Sequence, residues 1–153
     1  MIIIKIIGGL GNQLSQYAFG WRCAELVNTV LKLDITSYEN YDLHNYSLNK
    51  LCIGAEIATK NEIDSAKECI LVEKKIRFDY QLMNAIEDGI YIEGYFSDSR
   101  YFMPVYQNII SEFKVKKKLT VESEFFLKMI HEVKGNSVSI HFRRGDYVIN
   151  ENC

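Results

Sequence analysis

The apolar positions change period several times along the chain, and each change marks an element. Ile2–Ile7 (IIIKII) is an almost unbroken β-branched run, the pattern of a central strand covered on both faces. Gly8, Gly9 and Gly11 follow at once, and Asn12–Leu31 then repeats with helical spacing. Leu14, Tyr17, Ala18 and Trp21 form one stripe. Phe19, Cys23, Leu26, Val27 and Val30 form a second, which predicts a helix buried over much of its circumference, with Asn12 as N-cap. Strand, glycine loop and helix make the opening half of a βαβ unit. Thr29–Asp34 (TVLKLD) reads as the next strand, overlapping the helix end, with Asp34 at its carboxyl end.

Ser37–Thr59 follows neither period. Tyr38, Tyr41 and Tyr46 fit an irregular loop pinned to the core, or an aromatic surface facing carbohydrate. Asn61–Lys67 predicts a short helix and Cys69–Glu73 a strand, which Lys74–Tyr80 extends or repeats. Gly89–Tyr95 alternates as a strand, with Gly94 marking a bulge or a close backbone approach. Ser97 or Asp98 caps a helix over Ser99–Phe113, in which Pro104 fits only the first turn. Val121–Val133 is a further amphipathic helix with Phe125, Phe126, Met129 and Ile130 inward, ended by Gly135-Asn136. Ser137–Tyr147 (SVSIHFRRGDY) reads as a strand with Val138, Ile140 and Phe142 on one face, running into a turn at Gly145. Alternating strands and helices predict an α/β class with a parallel sheet.

Composition narrows the class of function. The 153 residues suit one domain with a substantial core. A net charge of −2 argues against a general nucleic-acid or membrane-surface binder, and the basic run Lys114–Lys118 reads as a solvated linker. Cys23, Cys52, Cys69 and Cys153 form no metal-type spacing and predict free thiols. No secretory signal and no membrane-length apolar run is present, which predicts a cytoplasmic protein, with peripheral membrane association compatible.

Two stretches carry candidate chemistry. Gly8–Gln13 joins a buried strand to a helix N-terminus, where backbone N–H groups and the helix dipole favour an oxygen-rich ligand. A dinucleotide-binding oxidoreductase domain is one reading, with Asp34 as ribose partner, but Leu14 occupies the third glycine position of that fingerprint, and no Walker lysine is present. A tight turn for packing is another. In His141–Tyr147, Arg143 and Arg144 supply two planar guanidinium forks suited to phosphate or carboxylate. The alternative is a solvated basic turn paired with Asp146. His44 and His131 each stand alone and carry no chemistry by themselves.

Gly8–Gly20 (GGLGNQLSQYAFG), Gly94–Phe102 (GYFSDSRYF) and His141–Tyr147 (HFRRGDY), in that order, resemble the glycosyltransferase family 11 α-1,2-fucosyltransferases. The resemblance covers essentially the whole chain and about the first half of a family member. It implies the GT-B architecture of two Rossmann-like domains facing a cleft. Residues 1–135 would be the acceptor-side domain, and 136–153 the first strand and HxRRGD loop of a donor domain whose remainder is missing. It implies inverting transfer of L-fucose from GDP-β-L-fucose to the 2-hydroxyl of a terminal galactose, with no metal or other cofactor. His141, Arg143, Arg144 and Asp146 would hold the donor diphosphate; Gly8, Gly9, Gly11, Asn12 and Gln13 would line the cleft near the acceptor. Asp34, Glu93 and Asp146 stand as unranked candidates for a base. Ser15 departs from the aromatic common at its position. The resemblance leaves two expectations for the 153-residue product: an enzyme fragment inactive alone, at the cytoplasmic membrane face, or a non-catalytic remnant with an interaction role.

Overall fold

The computed structural model describes residues 1–40 and 42–140. Two compact units divide the chain, Met1–Lys117 and Lys118–Cys153. The expected domain boundary at 135/136 falls inside the second.

The first unit is a Rossmann-like α/β domain. Its strands are β1 (Ile2–Lys5), β2 (Leu31–Asp34), β3 (Glu56–Ile57), β4 (Ile70–Val72) and β5 (Tyr91–Glu93). They form one parallel sheet in the order β3-β2-β1-β5-β4, with Ile3 opposite both Lys32 and Tyr91. The β-branched run of β1 therefore occupies the centre, where both faces are covered. Ile2, Ile4 and Ile6 face α1 (Leu10–Leu26), packing with Leu33, Ile92, Tyr17, Phe19 and Cys23. Ile3 and Tyr91 face the other way, onto Ala58, Ile63 and Ala66 at α2 (Lys60–Ala66). Gly20 lets α1 lie close to the sheet: a Cβ there would stand 2.9 Å from Ile4 Cγ2 and from Leu31 Cδ1.

Several boundaries differ from the sequence expectation, each for a local reason. Helix α1 starts at Leu10, with Gly9 rather than Asn12 as N-cap, and no side chain caps it. It ends at Leu26 because Asn28 adopts a left-handed conformation (φ 52), releasing the chain into β2. The stretch after β2 is not wholly irregular. It holds 3₁₀ turns at Thr36–Asn40 and Leu48–Lys50 and then contributes edge strand β3.

Thr59 forms a capping box with Glu62 at the start of α2. Lys74–Tyr80 does not extend β4; it is a loop ending in α3 (Tyr80–Asn84), capped by Asp79. The helix expected over Ser99–Phe113 is broken into 3₁₀ turns at Ser99–Tyr101 and Met103–Val105 and the short α4 (Tyr106–Ile109). Pro104 lies in the first turn of the second piece, where its missing N–H costs nothing. Its apolar positions still reach the core through Tyr101, Val105 and Ile109.

The second unit carries α5 (Val121–Glu132), capped by Thr120. Phe125, Phe126, Met129 and Ile130, expected inward, are exposed. Residues 137–140, expected to begin a strand, have no regular structure, and the rest of that element lies outside the described residues. Cys23, Cys52 and Cys69 are free thiols. Among the described residues no helix is long and apolar enough to cross a membrane.

Candidate functional site

Because all five strands run the same way, the loops that leave them gather on one edge. In open parallel sheets that edge receives the ligand. The loop leaving β1 is the Gly8-Gly9 turn, which delivers the chain into α1. Gly8 sits at φ +84, a left-handed conformation, and a Cβ there would meet Asn12 Nδ2 at 2.7 Å. With no side-chain cap on α1, its first backbone N–H groups are left for a ligand or solvent. Gly11 has open space around its α-carbon, while Gly9 lies against His44: its Cβ would stand 3.5 Å from the imidazole Nε2.

Two buried glutamines hold this turn in place. Gln13 is 0% exposed. Its amide nitrogen donates to the Gly8 carbonyl (2.8 Å) and the Asn45 carbonyl (3.0 Å), and its oxygen accepts from the Ser47 N–H (2.8 Å). Tyr38 also donates to the Gly8 carbonyl, at 2.8 Å. Gln16, one helical turn on, accepts from the Ile7 N–H and donates to the Gly94 carbonyl, both at 3.0 Å. Gln13 thus ties the glycine turn to the loop after β2, and Gln16 ties it to the loop after β5. Buried amides whose oxygen and nitrogen both find backbone partners specify one arrangement of the three loops. Gln13 acts as an organiser of the turn rather than as a wall of the open edge.

Carboxylates stand at or next to the ends of three strands: Asp34 in β2, Glu73 after β4 and Glu93 in β5. Asp34 is 1% exposed and fully engaged. Tyr91 Oη donates to it at 2.6 Å, the Thr36 hydroxyl at 2.7 Å and the Thr36 N–H at 2.9 Å, with Lys67 Nζ at 3.9 Å. Burial pushes its carboxyl up, but the Thr36 and Tyr91 hydrogen bonds with the Lys67 charge together leave it below the ordinary carboxylate value. Burial, the Asp34 hydrogen bond and the Asp34 charge push the Tyr91 hydroxyl up. This cluster lies beneath α2 and is closed to a ligand.

Glu73 accepts the N–H groups of Tyr95 (2.8 Å) and Phe96 (2.9 Å) and shapes the loop after β5. Glu93 differs from both. It ends β5 beside the end of β1, its side chain is 44% exposed, and Lys5 Nζ lies 2.8 Å from its Oε1.

The structure therefore brings Gly8, Gly9, Gly11, Asn12 and Gln13 together at one end of the central strand. His141, Arg143, Arg144 and Asp146 lie outside the described residues, as does Tyr41. The sequence left His44 standing alone and did not single out Lys5. Neither sits in a local motif: His44 reaches the turn through the loop clamped by Gln13, and Lys5 meets Glu93 only because β1 and β5 are neighbours. The lysine's place in an otherwise apolar run is the one signal that could have pointed to it.

Comparison with known proteins gives one relative to report. An α-1,2-colitosyltransferase of Escherichia coli is 28% identical over 166 residues, covering 98% of this chain and 56% of that protein. The chain thus spans about half the length of the curated relative it matches. No protein-family model matches the chain. No solved structure matches it.

Proposed function

We propose that the chain is the acceptor-side domain of an inverting GT-B glycosyltransferase that forms an α-1,2 linkage. In this reading it moves L-fucose from GDP-β-L-fucose to the 2-hydroxyl of a terminal galactose, without a metal. The observation that carries the proposal is the Gly8–Asn12 turn, clamped open at the carboxyl edge of the sheet by buried Gln13 and Gln16. The colitosyltransferase relative, aligned along nearly the whole chain, supports the reaction class and the linkage. That relative also favours a second reading, in which the sugar transferred is colitose.

The chemistry asks for two things. The departing nucleoside diphosphate gains negative charge as the glycosidic C–O bond breaks, and in this reading the guanidinium N–H groups of Arg143 and Arg144, from the HxRRGD run that also holds His141 and Asp146, answer that charge. The attacking hydroxyl must lose a proton as its oxygen bonds to the anomeric carbon. Of the carboxylates described, Glu93 has the exposure for that role and Asp34 does not. Lys5 Nζ, 2.8 Å from Glu93 Oε1, fixes the direction of that carboxylate.

The test uses a chimera of this chain with the carboxyl-terminal part of the colitosyltransferase relative, offered the GDP donors of fucose and of colitose with a galactoside. The expected result is transfer of one of the two sugars. Arg143→Ala and Glu93→Gln are each expected to lower kcat by about 100-fold, a loss of roughly 2.7 kcal/mol of transition-state stabilisation. A folded chimera that transfers neither sugar, or that is indifferent to Arg143→Ala, defeats the proposal.

A further inference from the structure

The carboxyl edge of the sheet continues beyond β5 to β4, and the loops that leave these two strands enclose a cavity of about 500 Å³. Lys75, Arg77 and Arg100 line it with Phe78, Asp79 and Tyr80. We infer that this cavity is an acceptor subsite for a sugar bearing an anionic group, a carboxylate or a phosphate. The anion site rests on the geometry below; its assignment to the acceptor rests on the transferase reading.

The charges in the cavity do not cancel. Asp79 caps α3, its Oδ1 taking the N–H groups of Gln81 (2.8 Å) and Leu82 (3.4 Å). Asp98 is occupied by the Arg100 guanidinium, at 2.9 and 2.6 Å, and by the N–H groups of Arg100 and Phe78. Its carboxyl is held well below the ordinary range, first by the Arg100 side-chain hydrogen bond and then by the backbone one. Among the described residues Lys75 and Arg77 have no carboxylate partner within ion-pair distance. Arg100 keeps Nη1 for a ligand, since Asp98 engages only Nε and Nη2. Two unpaired cations beside a third, already oriented, form an anion receptor.

The aromatic residues supply the sugar half of the site. The Arg100 guanidinium stacks over the Phe78 ring at 5.1 Å, and Tyr80 stands edge-on to Phe78 at 4.8 Å and 88°. Tyr80 is 73% exposed, an open ring against which the C–H face of a sugar can lie. The loop is also built in advance. Buried Tyr101 donates its hydroxyl to the Arg77 carbonyl (3.1 Å), and its oxygen accepts from the Asp79 N–H (3.0 Å). These bonds fix the backbone on both sides of Phe78, so little ordering is left for binding. Strand β4 lies two strands from β1, about 10 Å along the edge. A glycan whose reacting hydroxyl sits at the Gly8-Gly9 turn reaches the cavity by extending along the edge past β5.

The experiment is a nitrogen-15 NMR titration of the full chain with galactose, galacturonate, galactose 6-phosphate, inorganic phosphate and GDP. Galacturonate and galactose 6-phosphate are expected to shift the signals of residues 75–81 and the Arg100 side chain, and galactose to bind at least about tenfold more weakly. A Lys75→Ala/Arg77→Ala double variant and Tyr80→Ala, all at exposed positions that leave the fold intact, are each expected to weaken both anionic sugars by about tenfold. A shift from only one of the two anionic sugars names the anion and supports the site.

Inorganic phosphate binding as tightly as galactose 6-phosphate overturns the sugar reading. GDP binding more tightly than either sugar reassigns the cavity to the donor. No shift at these residues removes the site. Because binding is read without catalysis, a chain that transfers nothing can still bind here. A transferring chimera with no anionic-sugar binding sinks this inference alone.

Discussion

Asp34→Ala is expected to destabilise the protein by about 3 kcal/mol at neutral pH, lowering the thermal midpoint by roughly 10 °C. The carboxylate receives the Tyr91 hydroxyl, the Thr36 hydroxyl and the Thr36 N–H, and bonds to a charged acceptor are worth about 1.5–3 kcal/mol each before the freed donors find other partners. The Tyr91 hydroxyl lies between the sheet and α2 and has no water to turn to, so most of its loss is felt. Asp34→Asn keeps the shape and one acceptor oxygen and is expected to cost less, about 1–2 kcal/mol.

The pH dependence follows from the direction of the shift. Asp34 has a folded pKa below its unfolded value of about 3.9. Between the two values the unfolded chain binds more protons, so the contribution is complete above about pH 4 and is lost as pH falls through the folded value. The difference in stability between the native protein and Asp34→Asn is therefore expected to be flat from pH 5 to 8 and to shrink below about pH 4. Urea denaturation at a series of pH values measures both. An alanine variant within about 0.5 kcal/mol of the native protein would show that the cluster is incidental.

Gly94→Ala is expected to cost about 3 kcal/mol, at the upper end for adding one methyl group. A Cβ at Gly94 would stand 2.5 Å from Glu73 Cβ and 2.7 Å from the Phe96 ring. Neither neighbour can yield cheaply. Glu73 is held by the Tyr95 and Phe96 N–H groups, and Phe96 is buried, stacked on Phe19 at 4.0 Å and in a left-handed backbone conformation at φ 49. The displaced loop also carries the Gly94 carbonyl that Gln16 binds, so the strain passes to Ile7 and the glycine turn. Gly11→Ala is the contrast. A Cβ there meets nothing within 4 Å, and alanine is the better helix former. It is expected to leave stability unchanged or raise it by about 0.5 kcal/mol. Equal losses at the two glycines in urea titrations would contradict the packing argument.

How far the site could be read from sequence depended on the range of the interactions. The Gly8–Asn12 turn was visible because its cause is local: a β-branched strand, glycines that permit a left-handed residue, then a helical period. Gly94 was marked as a bulge or a close approach for the same reason, a glycine closing an alternating strand. Gln13 appeared as one more polar residue of the motif, since nothing nearby shows that its partners are Asn45 and Ser47. Asp34 was placed correctly at a strand end, but its burial was not legible, because it comes from Tyr91, far along the chain. The helix over Ser99–Phe113 was overread: its apolar spacing is helical, but tertiary contacts of Tyr101 and Val105 are met by short 3₁₀ turns.

The amino-acid sequence by itself determined the alternation of strands and helices, the central place of Ile2–Lys5 and the turn that begins α1. These follow from side-chain branching, periodicity and the steric freedom of glycine, all felt within a few residues. Only the tertiary structure decided which polar side chains are clamps and which are open to a ligand. Strand order sets Lys5 against Glu93 at the accessible edge and Tyr91 beneath α2 against Asp34. A carboxylate's chemistry depends on the water and donors around it, and those arrive from neighbours that the linear order does not reveal.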